Sequence, residues 1–165
     1  MVSAPVAAVT LESAIRAALA DVPDPELPMV SLVDLGVIGR IEASAERIAV
    51  ELLPTYIGCH AIETMRGAIA DRLAGMAANI VVEVSFSEPW TTERITHQGR
   101  RRLTESGVAP PPDGRPLLIT LDAPVACPYC ASRRTTLESA FGPTLCRTIR
   151  HCGACRQPFE AFKPA

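Results

Sequence analysis

Two cysteine pairs near the C-terminus constrain this chain more than any other feature. Cys127-Pro128-Tyr129-Cys130 and Cys152-Gly153-Ala154-Cys155 each place two residues between their thiols. A tight turn of that length presents both sulfurs to one metal, and two such turns close a tetrahedron. Residues 131–151, between the pairs, have room for two short strands over 134–140 and 145–150, and residues 158–162 supply a third. The expectation is a zinc ribbon. Its apolar complement is Phe141, Phe159, Phe162 and a few aliphatic residues. That is too little for a self-sufficient core, so the metal is expected to contribute folding energy directly. Four thiolates leave no open coordination position, which favours structural zinc over catalysis. The same set also holds a single iron, and a cysteine-ligated iron–sulfur cluster is a further alternative. Cys146, in the expected strand 145–150, reads either as a buried strand thiol or as an extra exchange thiol. His151, beside Cys152, ranks low as a replacement ligand.

The chain has six cysteines in 165 residues, and its sixth thiol, Cys59, stands alone. A disulfide framework is not expected. Residues 1–10 carry no positively charged leader and no apolar run reaches the ~18 residues of a membrane span, so a cytoplasmic, reducing location is anticipated. A hydrophobic content of 48% against 21% charged residues excludes wholesale disorder. A net charge of −2 and few aromatic platforms argue against a nucleic-acid partner.

Charge divides the chain as the cysteines do. Acidic residues outnumber basic ones before the prolines Pro110, Pro111 and Pro112, and basic residues outnumber acidic ones after residue 117. Consecutive prolines stiffen a segment and offer no backbone donors. The expected organisation is therefore an α/β domain over 1–106, a Pro-rich linker over 107–117 and a four-cysteine zinc-ribbon-like module over 118–165. In the first part, Leu11, Ala14, Ile15, Ala18 and Leu19 predict a helix over 11–20 with Thr10 as its N-cap. Pro23, Pro25 and Pro28 forbid regular structure next. Ser31 to Asp34 reads as a capping box on a short turn of helix stopped by Gly36. Strands are expected over 37–41, 47–53 and 80–86, the last with Ile80, Val82, Val84 and Phe86 on one face. Helices are expected over 60–74 and 92–106. The fold class is a small two-layer α/β domain, helices on a three-stranded sheet, followed by the ribbon.

Cys59 falls after a strand and before a helix. Exposed backbone N–H groups and the helix dipole at such a point favour thiolate, the form that binds metal or attacks. Gly58 permits the tight turn. The alternative is a small buried hydrophobe. Asp34 is a candidate carboxylate helper, although capping its own turn is its simpler role. His60 reads as a surface or capping residue, and Trp90 as packing across the sheet edge. Arg100, Arg101 and Arg102 form a charge run, usually a solvated helix face, with an acidic partner or a phosphate-bearing ligand as the alternative. A thiol enzyme based on Cys59 would need a base from His60, His97 or His151, and no catalytic spacing supports one.

Asp24-Pro25-Glu26, Asp34-Leu35-Gly36, Pro54-Thr55 with Gly58-Cys59, and Pro89-Trp90 together resemble the small metal–sulfur cluster assembly factors. With Phe141-Gly142-Pro143-Thr144-Leu145-Cys146 and the following Cys152-Gly153-Ala154-Cys155, the pattern resembles the D subunits of bacterial phenylacetyl-CoA epoxidase systems. The resemblance implies an accessory protein, not the catalyst. It would serve maturation of a multicomponent oxygenase in phenylacetate degradation. Its implied partners are the di-iron oxygenase subunit or the iron–sulfur reductase component; homodimerisation is left open. It makes Cys59 the metal- or cluster-handling thiol for a transient iron or iron–sulfur cargo, with Asp34 beside it. His60 departs from the proline that often follows this cysteine in the family. The competing reading is a non-catalytic oxygenase subunit with a metal–thiolate electron-transfer or structural site.

Overall fold

The computed structural model describes residues 6–112 and 123–163, with side chains from residue 11 onward. By their contacts the residues form two compact units. One comprises Met1–Pro54 with Gly58–Trp90, and the other Thr55–Ile57 with Thr91–Ala165. The division at Trp90 does not coincide with the boundary expected at residue 107.

In the first unit, α1 (Val6–Leu19) precedes the antiparallel pair β1 (Ile38–Ala43) and β2 (Arg47–Leu52). Then α2 (Ile62–Leu73) carries the chain to β3 (Asn79–Val84), which runs parallel to β2, giving the sheet order β1-β2-β3. The parallel pairing follows from the crossover, since a helix between two strands returns the chain to the starting end. In β2, Ile48, Val50 and Leu52 are buried as their alternation requires, and Ile15, Leu19, Ile69 and Leu73 from the helices are buried with them. α1 starts at Val6, so Thr10 lies inside the helix and is not its cap. The Ala-rich segment before Thr10 has the propensity to continue the helix. β3 stops at Val84, and Phe86, expected on the buried face, lies beyond it and is 57% exposed.

At 31–36 the chain forms a hydrogen-bonded turn and not the turn of helix expected there, because Gly36 ends it before a helix can propagate. Ser31 Oγ accepts from the Asp34 N–H at 3.0 Å, and Gly36 takes φ +73°. Trp90 is buried, and its indole N–H donates to the Leu35 carbonyl at 3.0 Å. Asp24 organises the proline-interrupted segment. The residue is 6% exposed, and Oδ1 accepts from the N–H groups of Glu26 (2.9 Å) and Leu27 (2.8 Å). Asp24→Ala strands two backbone donors, one of them buried, at an expected cost of about 2 kcal/mol. Urea unfolding followed by fluorescence of Trp90, the single tryptophan, should show a lower midpoint. An unchanged midpoint would mean that water replaces the carboxylate at no cost.

In the second unit, the helix expected over 92–106 is broken. A 3₁₀ turn (Thr92–Arg94) leads through extended, buried Ile95 to α3 (His97–Glu105), where Thr96 Oγ1 caps the Gly99 N–H at 3.0 Å. Part of the expected linker is structured: β4 (Val108–Ala109) follows Gly107, and residues 113–117 lie outside the described residues. β5 (Thr135–Ser139), β6 (Arg147–Cys152) and β7 (Pro158–Phe162) are the ribbon strands. The sheet order is β4-β7-β6-β5, with β4 parallel to β7 and the other pairs antiparallel. Phe159 and Phe162 are buried, but Phe141, counted toward the core from sequence, is 77% exposed. Its ring lies 5.6 Å from Lys163 Nζ, which donates to the Leu145 carbonyl.

Candidate functional site

The four paired cysteines meet. Among the described residues, the sulfurs of Cys127, Cys130, Cys152 and Cys155 all lie within 4.8 Å of one another. Cys127 and Cys155 are 3.7 Å apart, and Cys130 and Cys152 3.6 Å. A zinc–sulfur bond of about 2.3 Å puts tetrahedral ligands about 3.8 Å apart, whereas a disulfide would bring sulfurs to about 2.05 Å. The separations therefore fit a four-coordinate metal and exclude paired disulfides.

Two turns of the same construction hold these sulfurs. Ala131 N–H donates to the Cys127 carbonyl and Cys127 N–H to the Ser132 carbonyl; Arg156 N–H donates to the Cys152 carbonyl and Cys152 N–H to the Gln157 carbonyl. Ala131 (φ +59°) and Arg156 (φ +60°) both take the left-handed conformation that turns the chain back after the second cysteine. A non-glycine residue in that region is strained, and each knuckle tolerates it where the sulfurs must converge. Cys127 and Cys152 also belong to the small apolar core, packed with Ala109, Phe159 and Ala161. The metal site and the core are therefore one object.

Without a cation Cys152 and Cys155 do not ionise together. Cys152 is lowered to about 6, chiefly by the Cys155 backbone N–H. The Gln157 N–H acts on Cys155 in the lowering direction, yet burial and the neighbouring sulfurs push that thiol up to about 12. A dication supplies the charge that lets all four be thiolates. Cys146 stands outside this cluster. It is buried just before β6, with its sulfur 3.2 Å from Thr144 Oγ1 and its carbonyl accepting from the Lys163 N–H. His151 lies in β6 opposite Thr136 and Pro158 and is not one of the four ligands.

Cys59 lies in the crossover between β2 and α2, beyond the carboxyl end of β2. Open α/β sheets place their ligands in that region. Gly58 takes φ +84°, and the sulfur-bearing residue is half-buried. α2 begins at Ile62 with Ala61 as N-cap, two residues later than the expected start at 60, so the sulfur precedes the first helical turn as anticipated. Burial raises the Cys59 pKa; the Ala61 N–H lowers it, and the carboxylates of Glu26 and Asp24 raise it further. The free side chain is thus a thiol at neutral pH, not a thiolate. The acids that act on the sulfur come from the Asp24-Pro25-Glu26 segment, whose residues the sequence pattern alone did not assign to the site. The paired acids around Pro25 were the available signal. Asp34 is half-buried, and its backbone belongs to the turn capped by Ser31. His60 is exposed.

Known proteins match the chain in two parts. Residues 12–86 match the family model described as an iron–sulfur cluster assembly protein, and residues 112–163 match the PaaD zinc beta ribbon domain. A solved domain of unknown function, DUF59, from Bacillus anthracis superposes with a TM-score of 0.55 at 26% identity, covering 59% of this chain and 94% of its own. An Escherichia coli (strain K12) protein described as the putative D subunit of 1,2-phenylacetyl-CoA epoxidase is 39% identical over 150 residues, 90% of each chain. On that identity and coverage, the chain belongs to the PaaD family of phenylacetyl-CoA epoxidase D subunits, an iron–sulfur assembly domain joined to a zinc β-ribbon.

Proposed function

We propose that this protein is a cytoplasmic accessory factor for maturation of a multicomponent phenylacetyl-CoA epoxidase, delivering iron or an iron–sulfur unit to the di-iron oxygenase subunit or the iron–sulfur reductase. The observation that carries this reading is the contrast between its two sulfur environments. Four convergent thiols form a closed set suited to retaining a metal, and one half-buried thiol near two carboxylates forms an open one. Closed shells retain; transient delivery needs few ligands, so that a client can compete for the cargo.

Cys59 is the cargo thiol in this reading. Glu26 and Asp24, which oppose a bare thiolate, attract a cation, and the cation in turn stabilises the thiolate. Loading therefore releases the Cys59 proton, and cargo affinity falls as pH falls. Cys127, Cys130, Cys152 and Cys155 hold a structural zinc that organises the second unit, and this unit docks the client. A metal bound there supplies positive charge and cross-links the two knuckles.

The test is anaerobic loading of the full chain with ferrous iron and sulfide, followed by incubation with apo-reductase or apo-oxygenase subunit. One client should recover activity several-fold faster than with the same concentration of free iron and sulfide. If neither client recovers faster than with free iron and sulfide, the delivery role is overturned. The sulfur separations also fit a single iron, which supports an electron-transfer subunit as the second reading. Iron in the metal analysis with a visible thiolate spectrum selects that reading; zinc and a colourless protein select the first.

A further inference from the structure

The second unit carries a cleft of about 1090 Å³ that borders the four-sulfur site at Cys127 and extends beyond it along α3. One wall is α3, with His97, Arg100 and Arg101; the other is the start of the first metal knuckle, Pro124 to Pro128, with Ala131 and Arg133 after it. Prolines 110–112 line the cleft between them. Three arginines against one acid, Glu105, make the lining basic in a chain of net charge −2. Arg100 is structural as well as charged. Its guanidinium donates to the Thr92 carbonyl at 2.7 Å and the Pro111 carbonyl at 2.6 Å, tying the proline segment to α3. Arg101 and Arg133 are exposed on opposite walls.

We infer that this cleft docks an extended acidic peptide segment of a partner protein. Its two exposed arginines come from separate elements, Arg101 from α3 and Arg133 from the segment after the first knuckle. The proline lining offers no backbone donors, so recognition falls to side-chain charge and apolar contact. Separated arginines flanking an apolar floor complement acidic side chains spaced along an extended chain. The second wall exists only while Cys127 and Cys130 are held, which gives the metal a role in binding: it keeps one side of the cleft in place. The inference deepens the docking role given above to the second unit. It is independent of cargo handling at Cys59, because peptide binding is read without iron.

The test is fluorescence anisotropy of a labelled hexaglutamate peptide with the metal-loaded full chain. Saturable binding should weaken steeply with salt. Arg101→Glu and Arg133→Glu should each weaken it about five-fold or more, and Arg101→Lys should retain most of it. Arg40→Glu, an exposed reversal on the first unit, should leave it unchanged. Metal content and far-UV circular dichroism confirm that each variant is folded. Chelation of the metal should abolish binding. Absence of binding, equal loss with Arg40→Glu, or survival of binding after metal removal would overturn the proposal. So would tighter binding of inorganic pyrophosphate that displaces the peptide, which would reassign the cleft to phosphate compounds.

Discussion

Cys127→Ser should strip the metal and unfold the second unit while leaving the first intact. Cys127 is 2% exposed, its sulfur lies 3.7 Å from that of Cys155, and it packs in the same cluster as Cys152 and Phe159. Removing it takes away a metal ligand and a core residue together. The binding free energy of a structural zinc site is on the order of 10 kcal/mol and is folding free energy for a small ribbon. Losing one of four ligands should therefore remove most of the unit's stability. Cys130→Ser should be milder, because Cys130 is exposed and its loss opens no cavity. The readouts are stoichiometric metal analysis and the β-sheet contribution to far-UV circular dichroism. Trp90, buried in the first unit, reports separately that the α/β core survives. Acid should mimic the substitution, because protons compete with the metal for four sulfurs and retention falls as pH falls. A Cys127→Ser protein with full metal content and an unchanged spectrum would show that the other three thiols suffice.

Cys59→Ala should do the reverse, with little effect on stability and a large effect on delivery. The side chain is half-buried and lies in a loop, so truncation should cost about 1 kcal/mol or less. The tetrathiolate metal should stay bound. Transfer of iron or an iron–sulfur unit to the apo-client should fall several-fold, to the rate of free iron and sulfide. Cys146→Ser is the matched control, since its buried sulfur contacts Thr144 and stands outside the four-sulfur cluster. Alkylation gives an independent readout. Burial and the nearby acids hold Cys59 as a thiol, so iodoacetamide should react slowly at neutral pH and faster as pH rises through its raised pKa. A Cys59→Ala protein that delivers as well as wild type would rule out Cys59 as the carrier.

What was legible in the sequence follows the range of the interactions involved. The knuckles were readable because the two-residue spacing is local and its purpose is fixed by sulfur geometry. Their convergence was an inference from tetrahedral valence, and the four sulfurs do lie together. β2 was readable because Ile48, Val50 and Leu52 alternate in a strand buried on one face. β4 was not: Val108 and Ala109 carry no pattern, and they become a strand only because Glu160 and Ala161 lie alongside. The break at Ile95 was hidden because an apolar residue at helical spacing looks the same whether its backbone is helical or extended. The electrostatics at Cys59 failed for a similar reason. Spacing placed the thiol near a helix start, but its ionisation is governed by burial and by Glu26 and Asp24, whose proximity is a product of the fold.

The parallel contact of β4 with β7 carries a consequence for synthesis. Val108 pairs with Glu160 and Ala109 with Ala161, so the sheet closes on residues that leave the ribosome long after β4 does. The α/β unit draws its strands and helices from residues up to Trp90 and can form during translation. The cysteine-bearing sheet has to wait for residue 162, since its central strands β6 and β7 come last in the chain. A chain cut short after Cys155 keeps every sulfur and loses β7. Such a fragment would have the ligands and the β5–β6 pair but neither β7 nor the Arg156 and Gln157 bonds that close the second knuckle, so firm metal retention reports that β7 has been made.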